Sequence, residues 1–138
     1  MASHAQIDRE AKDSFLLTYD GRLTMDGLER FIKLSRFREK PVELLTLSAC
    51  STAAGDERAA LGLAGIAIKA GARTALASLW FINDESTSIL VSRFYEQLGR
   101  PNTSMAEALR QAQLSLLAER RTRHPGYWAP FLLIGNWL

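Results

Sequence analysis

The stretch Glu43-Leu-Leu-Thr-Leu-Ser-Ala-Cys-Ser-Thr52 decides how this chain is read. From Val42 to Leu47 it is a short, nearly continuous apolar run, with the length and character of a strand buried in a parallel sheet. It then passes into Ser48, Ala49 and Cys50, small residues that end the strand. Ligands of open parallel sheets gather beyond the carboxyl ends of the strands, so Cys50 stands where a nucleophile belongs. The competing reading is an inert cysteine packed as a small hydrophobe. Ser48, Ser51 and Thr52 around it speak against that, because a packing cysteine has no use for a polar shell.

Toward the amino terminus, Phe15, Leu16 and Leu17 precede Tyr19-Asp-Gly-Arg22 and Leu23. Asp20-Gly21 between short apolar runs predicts a β-hairpin, since both central residues of a type I′ turn need positive φ. Thr24 can then cap a helix whose buried face carries Leu28, Phe31 and Ile32, with Leu23 and Leu28 as its hydrophobic staple. The charged residues from Arg36 to Lys40, and Pro41, lead into the strand quoted above.

Toward the carboxyl terminus, a polar loop around Gly55, Asp56 and Glu57 leads to a small-residue helix from Ala59 to Ala70, which Gly71 can terminate. Its Gly62, Ala64 and Gly65 suit close packing on a sheet. Thr74 to Trp80 is the second buried strand. Asp84, Ser86 or Thr87 can begin a helix in which Leu90, Phe94 and Leu98 recur every four residues, ended by Gly99 and Pro101. Ser104 and Glu107 form a capping box for a further helix with Met105, Leu109, Ala112 and Leu116 on one face. Tyr127 to Ile134 is a third apolar strand.

Strand, helix, strand, helix, helix, strand predicts an α/β layer structure with parallel strands and right-handed crossovers. No repeat and no flexible linker divides it, so the expectation is one domain over residues 1–138.

The composition, 47% hydrophobic and 23% charged, is that of an ordinary globular domain able to bury a core. Seventeen basic and fifteen acidic residues leave a formal charge of +2 spread along the sequence, so no field points to nucleic acid or to a membrane as partner. The densest basic stretch, Arg120, Arg121, Arg123 and His124 before Pro125, reads as a solvated loop, with an anion-binding patch as the alternative. A single cysteine permits no intrachain disulfide and fits a reducing, cytoplasmic setting. Met1 to Glu10 is too polar for a signal peptide, and no apolar run approaches a membrane span.

Other chemistries lack their residues. Dinucleotide, P-loop and serine-hydrolase motifs are absent, and one cysteine with two distant histidines offers no zinc spacing, so neither cofactor nor metal is expected. A cysteine nucleophile needs a proton acceptor, usually histidine. Only His4 and His124 are available, and spacing alone does not choose between them.

Six blocks do. Ala2-Ser-His-Ala5, Asp13-Ser-Phe-Leu-Leu-Thr-Tyr-Asp-Gly-Arg-Leu23, Leu47-Ser-Ala-Cys-Ser-Thr52, Gly71-Ala-Arg-Thr-Ala-Leu-Ala-Ser-Leu-Trp80, Ala108-Leu-Arg-Gln-Ala-Gln113 and Tyr127-Trp-Ala-Pro-Phe-Leu-Leu-Ile-Gly135 resemble, in order, consecutive blocks of the CHAT family. That family comprises caspase-like cysteine peptidases associated with tetratricopeptide repeats. The resemblance implies a partial caspase-like (caspase-hemoglobinase) α/β fold, a mostly parallel sheet flanked by helices, truncated so that its N-terminal strands are missing.

It also implies that His4 is the general base and acid and that Cys50 attacks a peptide carbonyl of a polypeptide substrate. The oxyanion would be held by the backbone N–H groups of Cys50 and Ala5. Ala5 stands where the family has glycine, and alanine at a positive-φ position would be strained. Trp80 and Asp84, leaving the second strand at the end that carries Cys50, are candidates for the substrate-binding wall; core packing for Trp80 and an N-cap for Asp84 are their structural alternatives. A second functional reading is a catalytically inactive module that binds a tetratricopeptide-repeat or other helical-repeat partner, or its own missing N-terminal half.

Overall fold

The computed structural model describes residues 5–7, 15–18, 21–33, 40–47, 51–52, 64–65, 67–80 and 83–138, with the side chains of 5–7, 16–18 and 51–52 excepted. The chain forms two compact units, one of Met1–Phe81 with Ile134–Asn136, the other of Ile82–Leu133 with Trp137–Leu138.

The first unit contains a four-stranded sheet in the order β3-β2-β1-β5, built from β1 (Ala5–Ile7), β2 (Phe15–Thr18), β3 (Gly21–Thr24) and β5 (Ser51–Thr52). β2 and β3 pair antiparallel, with Thr18 opposite Gly21 and Phe15 opposite Thr24. The hairpin forms as expected, one residue earlier than the Asp-Gly reading put it: Gly21, at φ +149°, is already a strand residue. Tyr19 and Asp20 lie outside the described residues. The Arg22 guanidinium sits 4.5 Å over the Phe15 ring, a cation–π contact across the hairpin.

Thr24 ends the hairpin and caps α1 (Met25–Ile32), its side chain accepting from the Gly27 N–H at 3.2 Å. Met25, Leu28 and Ile32 form the buried stripe. Phe31, expected to join them, is 47% exposed, because at 100° per residue it lies roughly a quarter-turn from the stripe's centre.

The second sheet has the order β4-β6-β7, from β4 (Leu44–Leu47), β6 (Thr74–Ser78) and β7 (Phe131–Gly135). β4 and β6 are parallel, with Leu44 opposite Thr74 and Leu47 opposite Ala77. All five residues of β6 are buried, as the centre strand of three should be. Leu47, Ala75 and Ala77 join the α1 stripe and the helical residues Ala64, Ala67 and Ala70 in one apolar cluster. Gly65, expected to pack on the sheet, is exposed; the alanines one turn apart do that packing. Gly62 lies outside the described residues.

Gly71 terminates this helix at φ +114° in a Schellman arrangement, its N–H bonding to the Ile68 carbonyl at 3.0 Å while the Ala72 N–H reaches the Ala67 carbonyl at 3.1 Å. The chain then enters the sheet at Arg73, whose N–H donates to the Val42 carbonyl at 2.8 Å and whose carbonyl accepts from the Asn136 N–H at 3.0 Å. The Thr74 hydroxyl donates to the Asn136 carbonyl. Gly135 is the close approach in this corner: a Cβ there would come within 2.3 Å of the Arg73 oxygen, and its φ is +109°.

The mostly parallel sheet expected from the sequence is therefore corrected to a mixed arrangement. β1–β5 and β4–β6 are parallel; β1–β2 and β2–β3 are antiparallel. The physical reason is chain length, since the connections from β1 to β2 and from β2 to β3 are too short for a parallel crossover. The third strand is also corrected. Pro125–Tyr127 form a 3-10 turn, and β7 starts only after Pro130.

In the second unit, α2 (Asp84–Leu98) packs against α3 (Met105–Ala118). Leu90 and Phe94 from α2 are buried, as are Ala108, Leu109, Ala112 and Leu116 from α3. Ser104 caps α3, accepting from the Glu107 N–H at 3.2 Å. Glu107 turns its carboxylate outward to Arg110, with two bonds of 2.8 Å, and to Gln111 at 2.7 Å. Arg110 and Gln111 hold its pKa down to about 2. Among the described residues no helix is long and apolar enough to cross a membrane.

Candidate functional site

The parallel pairing of β1 with β5 organises the region where the sequence placed its chemistry. Gln6 lies opposite Ser51 and Ile7 opposite Thr52. On its other edge β1 pairs antiparallel with β2, Ala5 opposite Leu16 and Gln6 opposite Phe15, so this three-residue strand is held from both sides. Ala5 opens β1 and Ser51 opens β5. His4 and Cys50 lie outside the described residues. Ala5 takes its place in the extended ladder, a conformation that alanine adopts without strain.

Chain order puts β5 soon after β4, whose Leu47 is buried in the apolar cluster at 5% exposure. The strand that carries the sequence toward position 50 is therefore anchored by its last residue, and β6 beside it is buried throughout.

Trp80 follows β6 by two residues and is 37% exposed. Asp84 is the exposed first residue of α2. The cap is Asn83 instead, whose Oδ1 accepts from the Ser86 N–H at 2.8 Å. Asp84 in the first turn complements the helix dipole without satisfying its N–H groups. Trp80 and Asp84 fall in different compact units. Asn83 is the residue that sequence reasoning missed, though an asparagine directly before an acidic first turn is itself a capping signal.

His124, the other histidine, is exposed, and its Nδ1 accepts from the Gly126 N–H at 3.1 Å, which caps the 3-10 turn. That bond places the ring proton of the neutral imidazole on Nε2 and gives the residue a structural task. Among the described residues no three His, Cys, Asp or Glu side chains cluster as a metal site would require.

The sequence model of the CHAT domain family matches residues 1–136. The chain belongs to the CHAT domain family. No curated protein matches it. CHAT is a caspase-like peptidase family, and the mixed α/β architecture with its three-stranded, helix-flanked sheet is consistent with part of such a domain. The CHAT domain here runs through the β1–β5 pairing, the buried β6 strand and the Gly135 corner alike.

Proposed function

We propose that this CHAT domain is a cysteine-type endopeptidase in which Cys50 is the nucleophile and His4 its proton acceptor and donor. One observation carries the reading. Ala5 and Ser51, the direct chain neighbours of His4 and Cys50, open two strands that pair side by side in parallel. That adjacency in sequence to one parallel strand pair is what supports assigning the chemistry to His4 and Cys50.

The chemistry follows from those roles. His4 accepts the Cys50 thiol proton, and the thiolate attacks the peptide carbonyl carbon, forming a C–S bond and a tetrahedral oxyanion. Backbone N–H groups of Ala5 and Cys50 are the candidate donors to that oxygen. The imidazolium then gives its proton to the departing amine as the C–N bond breaks, leaving a thioester. Water, deprotonated by His4, cleaves the thioester and regenerates the thiol. Exposed Trp80 is the candidate wall for an apolar side chain of the polypeptide substrate.

The test is hydrolysis of a fluorogenic peptide library by the full chain, with trapping of the acyl-enzyme for mass spectrometry. Cys50→Ala is expected to abolish the acylated species, and His4→Ala to slow turnover by at least about a thousandfold. Turnover that survives Cys50→Ala would remove the reading. A chain that binds helical-repeat proteins but never acylates would mark it as an interaction module.

A further inference from the structure

Charge on this chain is unevenly placed in a way its near-neutral total conceals. The segment 119–124 holds Arg120, Arg121 and Arg123 against the single acid Glu119, an excess of +2 with His124 neutral, equal to the formal charge of the whole chain. The remaining residues therefore sum to zero. All four basic side chains are exposed. Four cations elsewhere have acidic partners, Lys33 with Glu29, Arg73 with Glu43, Arg93 with Glu96 and Arg110 with Glu107. Among the described residues Arg120, Arg121 and Arg123 enter no ion pair.

The backbone that presents them is fastened at several points. The buried Thr122 hydroxyl donates to the Leu116 carbonyl at 2.8 Å, and the Thr122 N–H to the Glu119 carbonyl at 3.1 Å. The Trp128 indole N–H donates to the Arg123 carbonyl at 3.2 Å, and Gln113 holds the Trp128 carbonyl at 3.1 Å. A single cation would serve the carboxyl end of α3. Three on a fastened loop have another use. Directly before them, Leu114 and Leu117 stand on the outer side of α3 at 41% and 43% exposure.

We infer that the outer side of α3 at Leu114 and Leu117, together with the Arg120–Arg123 loop, is a docking surface for an acidic polypeptide segment bearing apolar side chains. Guanidinium groups match carboxylates through paired N–H bonds, and a preorganised backbone lowers the ordering cost of binding. Nucleic acid fits less well. The nearby aromatics serve the loop itself, Trp128 through its indole N–H and Tyr127 edge-on to His124. Two half-exposed leucines also offer little surface for insertion into lipid. The inference is independent of the peptidase reading, since binding at this surface needs no chemistry at Cys50.

The experiment uses the full chain carrying Cys50→Ala and a fluorescent synthetic peptide of glutamate and leucine at helical spacing. Binding is expected at low salt and is expected to weaken steeply as salt rises from about 0.05 M to about 0.5 M. Arg120→Glu/Arg121→Glu/Arg123→Glu should lose at least about tenfold in affinity, and Leu114→Ala/Leu117→Ala about threefold, while Arg93→Glu on α2 changes nothing. In the chain without arginine substitutions, the peptide should protect these three arginines from phenylglyoxal, which keeps the test valid if the triple variant fails to fold. Undiminished binding by a folded triple variant, equal arginine modification with and without peptide, or tighter binding of a single-stranded oligonucleotide or of phosphatidylserine vesicles would each overturn the proposal.

Discussion

Strands β4 and β6 pair in parallel over four positions, from Leu44 opposite Thr74 to Leu47 opposite Ala77, whereas β1 and β5 pair over two, Gln6 opposite Ser51 and Ile7 opposite Thr52. The longer pair contributes Leu47, Ala75 and Ala77 to an apolar cluster that also takes in one face of α1. The shorter pair stands next in sequence to the two residues proposed to react. Stability and chemistry are thus assigned to different strand pairs. Substitutions around β6 should act on the folded fraction of the molecule, and those beside β1 and β5 on reactivity.

The largest expected effect breaks the long pair's corner. Gly135→Val places a branched side chain at φ +109° and against the Arg73 oxygen, and is expected to cost about 4 kcal/mol in urea unfolding. Next, Leu76→Ala removes a 1% exposed side chain from the middle of β6 and should cost about 3 kcal/mol, with the value set by how far the cavity collapses. In either variant, Cys50 chemistry normalised to folded protein should be unchanged; a specific loss there would mean that the two pairs are not separable.

Smaller effects sharpen the comparison from outside both pairs. Asn83→Ala removes the N-cap of α2 and should cost about 1 kcal/mol, with Asn83→Ser restoring most of it, whereas Asp84→Ala should cost less. The smallest effect is the acid limb of Glu107. Its folded pKa is depressed to about 2 by Arg110 and Gln111, so its contribution is complete above the ordinary carboxylate range and fades as pH falls toward about 2. Acid titration of Glu107→Gln should lack that component and otherwise match the parent chain.

Those same two strand pairs differ in how much could be read from sequence. β4 and β6 announce themselves as apolar runs, and the caps at Thr24 and Ser104 follow from side chains spaced to reach a helix N–H three residues on. Gly71 was legible for the same local reason. The pairing of β1 with β5 was not, because segments of three and two residues carry no periodicity and their partnership spans more than forty positions. Phe31 and the start of β7 were misjudged at element edges, where one residue of phase or one proline decides the outcome. At the candidate site, Cys50 was read from its place after a strand and His4 from family resemblance alone, and both lie outside the described residues.

The most direct test of the central claim uses the fact that Cys50 is the chain's sole cysteine, so thiol labelling reports on one atom. The rate of iodoacetamide alkylation is measured against pH in the parent chain and in His4→Ala. A reactive thiolate is expected well below pH ~8, the ordinary range of a free thiol, with that profile shifting up to the ordinary range when His4 is removed. Superimposable profiles in the two proteins would contradict it.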